Sequence, residues 1–222
     1  MAMLKGFIFD LDGVLTDTAK YHLTAWHELA EQLGIHLPPE ADAALRGRAR
    51  MDSLELILQY GHQEQNYDEA QKVALAEEKN RRYRALVASI TSADILPGIP
   101  LLLEKAKQHR LKMAIASASK NAPMILQRLG LASQFDAIVD PSSLHHGKPD
   151  PEIYMKAQQL LQLQAAEVIS FEDAPIGIAA IKAAGQFSVG IGDAEKLAAA
   201  DYRVSTTEQL DYDRIVAAFE RR

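Results

Sequence analysis

Four short polar segments, each following an apolar run, carry the residue types that phosphoryl chemistry needs. They are Asp10-Leu11-Asp12-Gly13, Ser117-Ala118-Ser119-Lys120-Asn121, Gly147-Lys148-Pro149-Asp150-Pro151 and Glu172-Asp173. Asp10 and Asp12 stand two apart, and Gly13 relaxes the backbone so that a turn could aim both at one cleft. Neighbouring carboxylates repel, so the cleft calls for a compensating cation. Mg2+ suits that task, because it favours oxygen ligands and bridges carboxylate to phosphate. Glu172 and Asp173, arriving from another strand end, would complete the acidic metal site. The Asp10 carboxylate could then attack a partly neutralised phosphoryl group and form an aspartyl-phosphate. Asp12 is placed to protonate the leaving oxygen and later to deprotonate an incoming alcohol. Ser117 can donate to a phosphoryl oxygen, and Lys148 supplies positive charge to the transition state. Pro123 marks a helix start, which would set Ser119, Lys120 and Asn121 near an anion-favouring N-terminus.

Each segment alone has a plainer reading. An Asp-x-Asp pair is common in turns, Ser117 to Asn121 could simply cap a helix, and a lone lysine is usually solvated. One phosphoryl-transfer site accounts for all four together, whereas the plain readings need four separate coincidences.

The elements that must position these groups follow from the apolar pattern. Gly6–Phe9, Met113–Ala116, Ala137–Val139, Val168–Phe171 and Ser188–Ile191 read as buried strands. Between them, Ile99–His109, Pro123–Leu129, Pro151–Leu163 and Ile176–Ala184 read as helices. The alternation predicts an α/β fold, a Rossmann-like parallel sheet with reactive groups beyond its carboxyl ends. After the first strand the chain offers only helical patterns, at Ala19–Leu33, Leu54–Tyr60 and Val73–Val87. The expected organisation is therefore a core of residues 1–15 and 93–222 with an inserted all-helical cap domain over residues 16–92.

Composition narrows the partners. Among 222 residues, 24 are basic and 30 acidic, a net charge of -6 that disfavours nucleic acid. The absence of cysteine removes disulfides, thiolate catalysis and thiolate-bound metal. No apolar run is long enough to span a bilayer, so the expectation is a cytoplasmic enzyme with no membrane partner. The adjacent His145-His146 has no matching ligand spacing and reads as loop.

With these motifs in place, the chain resembles the haloacid dehalogenase superfamily over essentially its whole length. The match extends through Asp12-Gly13-Val14-Leu15-Thr16-Asp17-Thr18-Ala19, Tyr21-His22, Ala25-Trp26, Arg46-Gly47-Arg48-Ala49-Arg50 and Lys79-Asn80. These segments resemble the branch whose members interconvert β-D-glucose 1-phosphate and glucose 6-phosphate through the 1,6-bisphosphate. The resemblance implies a Mg2+-dependent mutase acting on small-molecule sugar phosphates, as a monomer. It assigns metal binding to Asp10, Glu172, Asp173 and the backbone carbonyl of Asp12. It assigns substrate contacts to Thr18, His22, Trp26, Gly47, Arg48, Arg50, Ser53, Lys79, Ala118, Ser119, Lys120 and Asn121, with Arg50 gripping the phosphate that is not being transferred. Two positions depart from the pattern: Arg46 stands where lysine is expected, and Ala174-Pro175-Ile176 replaces a Ser-Gln-Ala-like stretch. A sugar-phosphate phosphatase with the same first half-reaction, or a non-catalytic phosphosugar-binding protein, remains compatible with the residues alone.

Overall fold

The computed structural model describes residues 3–222; Met1 and Ala2, which the sequence reading assigns to the core, lie outside the described residues. The chain divides into two compact units, one comprising Met1–Asp17 with Thr91–Arg222 and the other Thr18–Ile90.

The first unit is built on six strands: β1 (Gly6–Phe9), β2 (Lys112–Ile115), β3 (Ala137–Ile138), β4 (Val168–Glu172), β5 (Phe187–Ile191) and β6 (Tyr202–Val204). All five pairings are parallel, in the order β3-β2-β1-β4-β5-β6. The chain builds outward from β1 through β2 and β3, then crosses back to place β4 on the other side of β1. The strand order thus reverses at β1 and β4, the place where open α/β sheets bind ligands.

Both faces of β1 are buried, which explains its unbroken apolar run. On one face Phe9 stacks on Phe171 at 4.6 Å, and Phe7 meets Phe171 edge-on at 5.0 Å. Helix α9 (Tyr212–Glu220) closes that side, with Tyr212 6.1 Å from Phe7. On the other face Ile8 joins a core with Tyr154, Ala157 and Leu161 of α7 (Glu152–Leu161) and Ile178 and Ile181 of α8 (Pro175–Ala183). The first unit also contains α5 (Ile99–Gln108) and α6 (Ala122–Arg128). Pro175 occupies the first turn of α8, where its missing N–H costs nothing.

Strand β6 and helix α9 lie beyond the elements that the apolar pattern predicts. Tyr202–Val204 is a three-residue edge strand, too short for alternation to register. Where the chain re-enters the first unit, Ser92–Asp94 forms a short 3-10 turn followed by one antiparallel bridge, Thr16 to Ile95.

The second unit is helical: α1 (Ala19–Gln32), α2 (Ala41–Leu45), α3 (Arg50–Tyr60) and α4 (Glu69–Leu86). Its core gathers Trp26, Leu29, Ile35, Leu54, Ile57 and Ala76. Helix α4 begins at a capping box in which Asp68 and Gln71 each satisfy the other's backbone N–H. Helix α3 starts at Arg50, four residues before the apolar pattern does, because its first turn is polar.

Candidate active site

Register alone brings two carboxylates together. Phe9 is level with Phe171, so Asp10 and Glu172 leave the sheet side by side, and the Asp10 N–H donates to the Phe171 carbonyl at 3.0 Å. Side chains alternate along a strand, so Asp10 shares the face of Ile8, and Glu172 that of Ser170, the face covered by α7. From the loop before α7, Lys148 reaches under both: its Nζ donates to Asp10 Oδ1 and to Glu172 Oε2, each at 2.9 Å. The Lys148–Pro149 peptide is cis.

All three groups are buried, with Asp10 3%, Lys148 3% and Glu172 0% exposed. Burial works against the Lys148 charge, but the Asp10 and Glu172 charges outweigh it and raise its pKa above the ordinary lysine value. Glu172 is pushed up to about 7, first by burial and then by the Asp10 charge, with Lys148 and Tyr154 restraining the rise. Two buried carboxylates thus share a single ammonium. The Tyr154 hydroxyl also donates to Glu172 Oε2. Burial, followed by the Glu172 charge, holds that phenol well above its usual pKa, so it stays a donor.

Glycines admit the neighbours. A Cβ on Gly13, at φ +83°, would lie 2.2 Å from Asp173 Oδ2. A Cβ on Gly177 would lie 2.1 Å from Glu172 Cδ, so the first turn of α8 packs directly on that carboxylate. The loop after β1 closes on itself, with Gly13 N–H donating to Thr16 C=O at 2.8 Å and Leu15 N–H to Leu11 C=O at 2.9 Å. Asp12 stands in this loop, partly exposed.

Asp10, Glu172 and Asp173 each present an oxygen within 4.8 Å of the others. Glu172 Oε1 is buried without a hydrogen-bond partner, which is costly unless something else supplies the contact. Three carboxylates around one ammonium leave excess negative charge. An oxygen-only donor set of this kind fits a hard divalent cation.

On the neighbouring strand β2, the Ala116 N–H donates to Phe9 C=O at 2.8 Å, which sets Ser117 one residue beyond the sheet edge. Ser117 is buried, and its Oγ accepts from the Ser119 N–H at 3.1 Å; Ser119 Oγ accepts in turn from the Asn121 N–H at 3.3 Å. Ala118 is partly exposed, Lys120 is exposed and Asn121 is buried at the start of α6. The His145 and His146 backbone N–H groups both donate to Glu152 Oε2 at 2.8 Å, a loop closure rather than a ligand arrangement.

The helical unit gathers a second set. Lys79, 2% exposed, lies 2.7 Å from His22 Nδ1 and 4.4 Å from the Trp26 ring centroid. The His22 ring stacks on Tyr83 at 3.8 Å. With the ammonium donating, Nδ1 is the acceptor and His22 is neutral. Its pKa is well below 6.5 through burial, then the Lys79 charge, then that of Arg50. Arg50 donates to Glu77, Arg48 Nε to Ala44 C=O at 2.6 Å and Ser53 Oγ to Ala49 C=O at 3.0 Å. Thr18 is buried at the start of α1, and Gly47 turns the chain at φ +71°.

Tyr154 is the site residue that motif reading passes over. Its position within the helical pattern reads as core. The available signal is chemical: a phenol on a fully buried helix face needs a polar partner.

Comparison with known proteins agrees with this geometry. The family model of haloacid dehalogenase-like hydrolases matches residues 4–185. The β-phosphoglucomutase of Bacillus subtilis is 44% identical over 218 residues, covering 98% of this chain and 96% of that protein. Fructose-1-phosphate phosphatase YqaB of Escherichia coli is 32% identical, covering 84% and 95%. Among solved structures, the β-phosphoglucomutase of Clostridium difficile superposes with a TM-score of 0.97 at 43% identity, covering 99% of this chain and 98% of that one.

Proposed function

This chain belongs to the haloacid dehalogenase-like hydrolase family, and from that premise we propose that it interconverts β-D-glucose 1-phosphate and glucose 6-phosphate through β-D-glucose 1,6-bisphosphate and a phospho-aspartate. The observation that carries this reading is the 44% identity, over nearly the full length of both chains, to a β-phosphoglucomutase. The paired Asp10 and Glu172 with Lys148 between them support the chemistry.

Asp10 is the nucleophile. Lys148 holds one oxygen of its carboxylate, which fixes the rotamer from which the other attacks phosphorus. In one half-reaction, phosphorylated Asp10 gives its phosphoryl group to the 6-hydroxyl of β-D-glucose 1-phosphate while Asp12 takes the hydroxyl proton. The bisphosphate then turns end for end. In the second half-reaction, Asp10 attacks the phosphorus at C1 and Asp12 returns the proton to the departing O1, releasing glucose 6-phosphate and restoring phospho-Asp10. Asp10, Glu172, Asp173 and the Asp12 carbonyl would hold Mg2+, which when bound neutralises phosphoryl charge. Lys148 and Ser117 face the transferring phosphoryl oxygens. Arg50, Lys120 and Asn121 serve the distal phosphate, with Thr18, His22, Trp26, Gly47, Arg48, Ser53, Lys79, Ala118 and Ser119 as further sugar-phosphate contacts.

The 32% identity to a fructose-1-phosphate phosphatase keeps hydrolysis as the second reading, with water replacing the 6-hydroxyl as acceptor. A coupled assay for glucose 6-phosphate, started from β-glucose 1-phosphate with Mg2+ and trace 1,6-bisphosphate, separates the two. Isomerisation without matching phosphate release is expected. Steady phosphate release without isomerisation selects the phosphatase, and turnover of the α anomer alone overturns the substrate assignment.

A further inference from the structure

Glu172 is the most enclosed carboxylate of the site, and its two oxygens are treated differently. Oε2 accepts twice, from Lys148 Nζ at 2.9 Å and from the Tyr154 hydroxyl. A carboxylate oxygen has two in-plane lone pairs, so Oε2 is saturated. Oε1, buried in the same place, has no hydrogen-bond partner. Gly177 of α8 packs directly on this carboxylate, where a Cβ would lie 2.1 Å from Cδ and 2.3 Å from Oε1. The side chain therefore cannot relieve the imbalance by swinging toward α8.

Tyr154 is itself held in place. Its backbone carbonyl accepts from Gln186 Nε2 at 3.0 Å, and Gln186 Oε1 accepts from Ser170 Oγ at 2.6 Å. Ser170 precedes Glu172 by two residues on β4, so both face α7. Helix α7 is thus tied to one strand face twice, once through Gln186 and once through the phenol. The Tyr154 ring also lies under the Lys148 ammonium, with Nζ 5.0 Å from its centroid.

Resting on the cation site proposed above, we propose that Tyr154 is a positioning residue: its hydroxyl occupies Glu172 Oε2 and so dedicates Oε1 to the divalent cation or its bound water. Without the hydroxyl, Oε2 keeps only Lys148, the carboxylate can rotate, and Lys148 and the cation compete for the same oxygens. Outer hydrogen bonds of this kind orient metal-binding carboxylates.

The test is Mg2+ binding to the ligand-free chain, measured by calorimetric titration, for wild type, Y154F, E172Q and the double variant. Y154F keeps the ring beneath Lys148 and removes only the hydroxyl. Its Mg2+ dissociation constant is expected to rise about 10–100-fold. Its melting temperature without Mg2+ should fall modestly, as the loss of one buried hydrogen bond requires, and its KM for β-glucose 1-phosphate at saturating Mg2+ should stay close to wild type. In the E172Q background, Y154F should add nothing, because the hydroxyl acts through that carboxylate. Unchanged Mg2+ binding in Y154F, additive losses in the double variant, or a Y154F chain that fails to fold would each overturn the proposal. A wild-type chain that binds no Mg2+ would instead sink the cation site on which the proposal rests.

Discussion

Gly13 and Asp173 approach so closely that no side chain fits between them: a Cβ on Gly13 would sit 2.2 Å from Asp173 Oδ2. The loop after β1 and the end of β4 are in contact at this point, and the left-handed φ of +83° adds a second reason for glycine. Gly13→Ala should therefore displace Asp173 from the acidic cluster. Backbone strain of about 1–2 kcal/mol is expected in urea melts. The Mg2+ concentration for half-maximal activity should rise about 10-fold or more. A variant that loses stability but keeps its Mg2+ dependence would show that Asp173 does not contribute to cation binding.

Lys148 neutralises two buried carboxylates, so its removal should hurt more than loss of an ordinary ion pair. Lys148→Met leaves Asp10 and Glu172 facing each other with no compensating charge. A loss of about 3–5 kcal/mol in the absence of Mg2+ is expected from urea unfolding. Adding Asp10→Asn should restore part of that loss, since one repelling charge goes. Activity should fall about 100-fold or more in Lys148→Met, because charge at the phosphoryl group is lost as well. Equal stability of Lys148→Met and wild type would mean that the pair is solvated rather than enclosed.

Much of the core was legible in the sequence for a physical reason. Strands buried on both faces are mostly apolar, interrupted inside β4 and β5 by Ser170 and Ser188, so β1, β2, β4 and β5 announce themselves, and the polar segments after β1 and β2 and at the end of β4 fall at the carboxyl edge. Asp10, Ser117 and Glu172 were readable on that basis. Tyr154 was not, because a buried aromatic within an amphipathic helix looks the same whether its hydroxyl is working or idle. Nor was the start of α3 at Arg50 legible, since its first turn carries Met51 as its sole apolar residue and no stripe can register there. In the helical unit, the four-residue spacing of His22 and Trp26 put them on one face. What spacing could not reveal was that Lys79, far along the chain, lies against both.

The edge of the sheet offers a pH test that does not involve the site. Asp201 accepts from the Ser188 N–H at 2.8 Å, from Ser188 Oγ at 2.7 Å and from Lys182. Burial raises its pKa, but the Lys182 and Ser188 hydrogen bonds outweigh it and leave the carboxyl below 3.8. A carboxylate depressed in the folded state stabilises above its unfolded pKa and loses that contribution as pH falls through the folded one. Wild type should exceed Asp201→Asn by about 1 kcal/mol at neutral pH. The gap should shrink below about pH 4. A gap that stays constant down to pH 3 would count against the depressed carboxyl.

His22 acts in the same direction, but nearer neutral pH. The residue keeps some exposed surface, yet its Nε2 is closed to solvent, and Lys79 donates to Nδ1. Protonating Nδ1 would set two cations 2.7 Å apart, with Arg50 adding to the repulsion. The folded chain therefore resists a proton that the unfolded chain accepts near 6.5. Stability should fall as pH drops below that value, with this one group contributing up to about 1.4 kcal/mol per pH unit until the folded pKa is reached. His22→Asn removes the titrating group, so its stability should be flatter than wild type between pH 7 and 5 in urea midpoints. Lys79→Met should flatten the wild-type slope in part, because it removes the nearer cation and leaves burial in place. Parallel pH profiles for wild type and His22→Asn would mean that the ring is protonated in the folded chain, and the donor-acceptor order of the Lys79 contact would have to be redrawn.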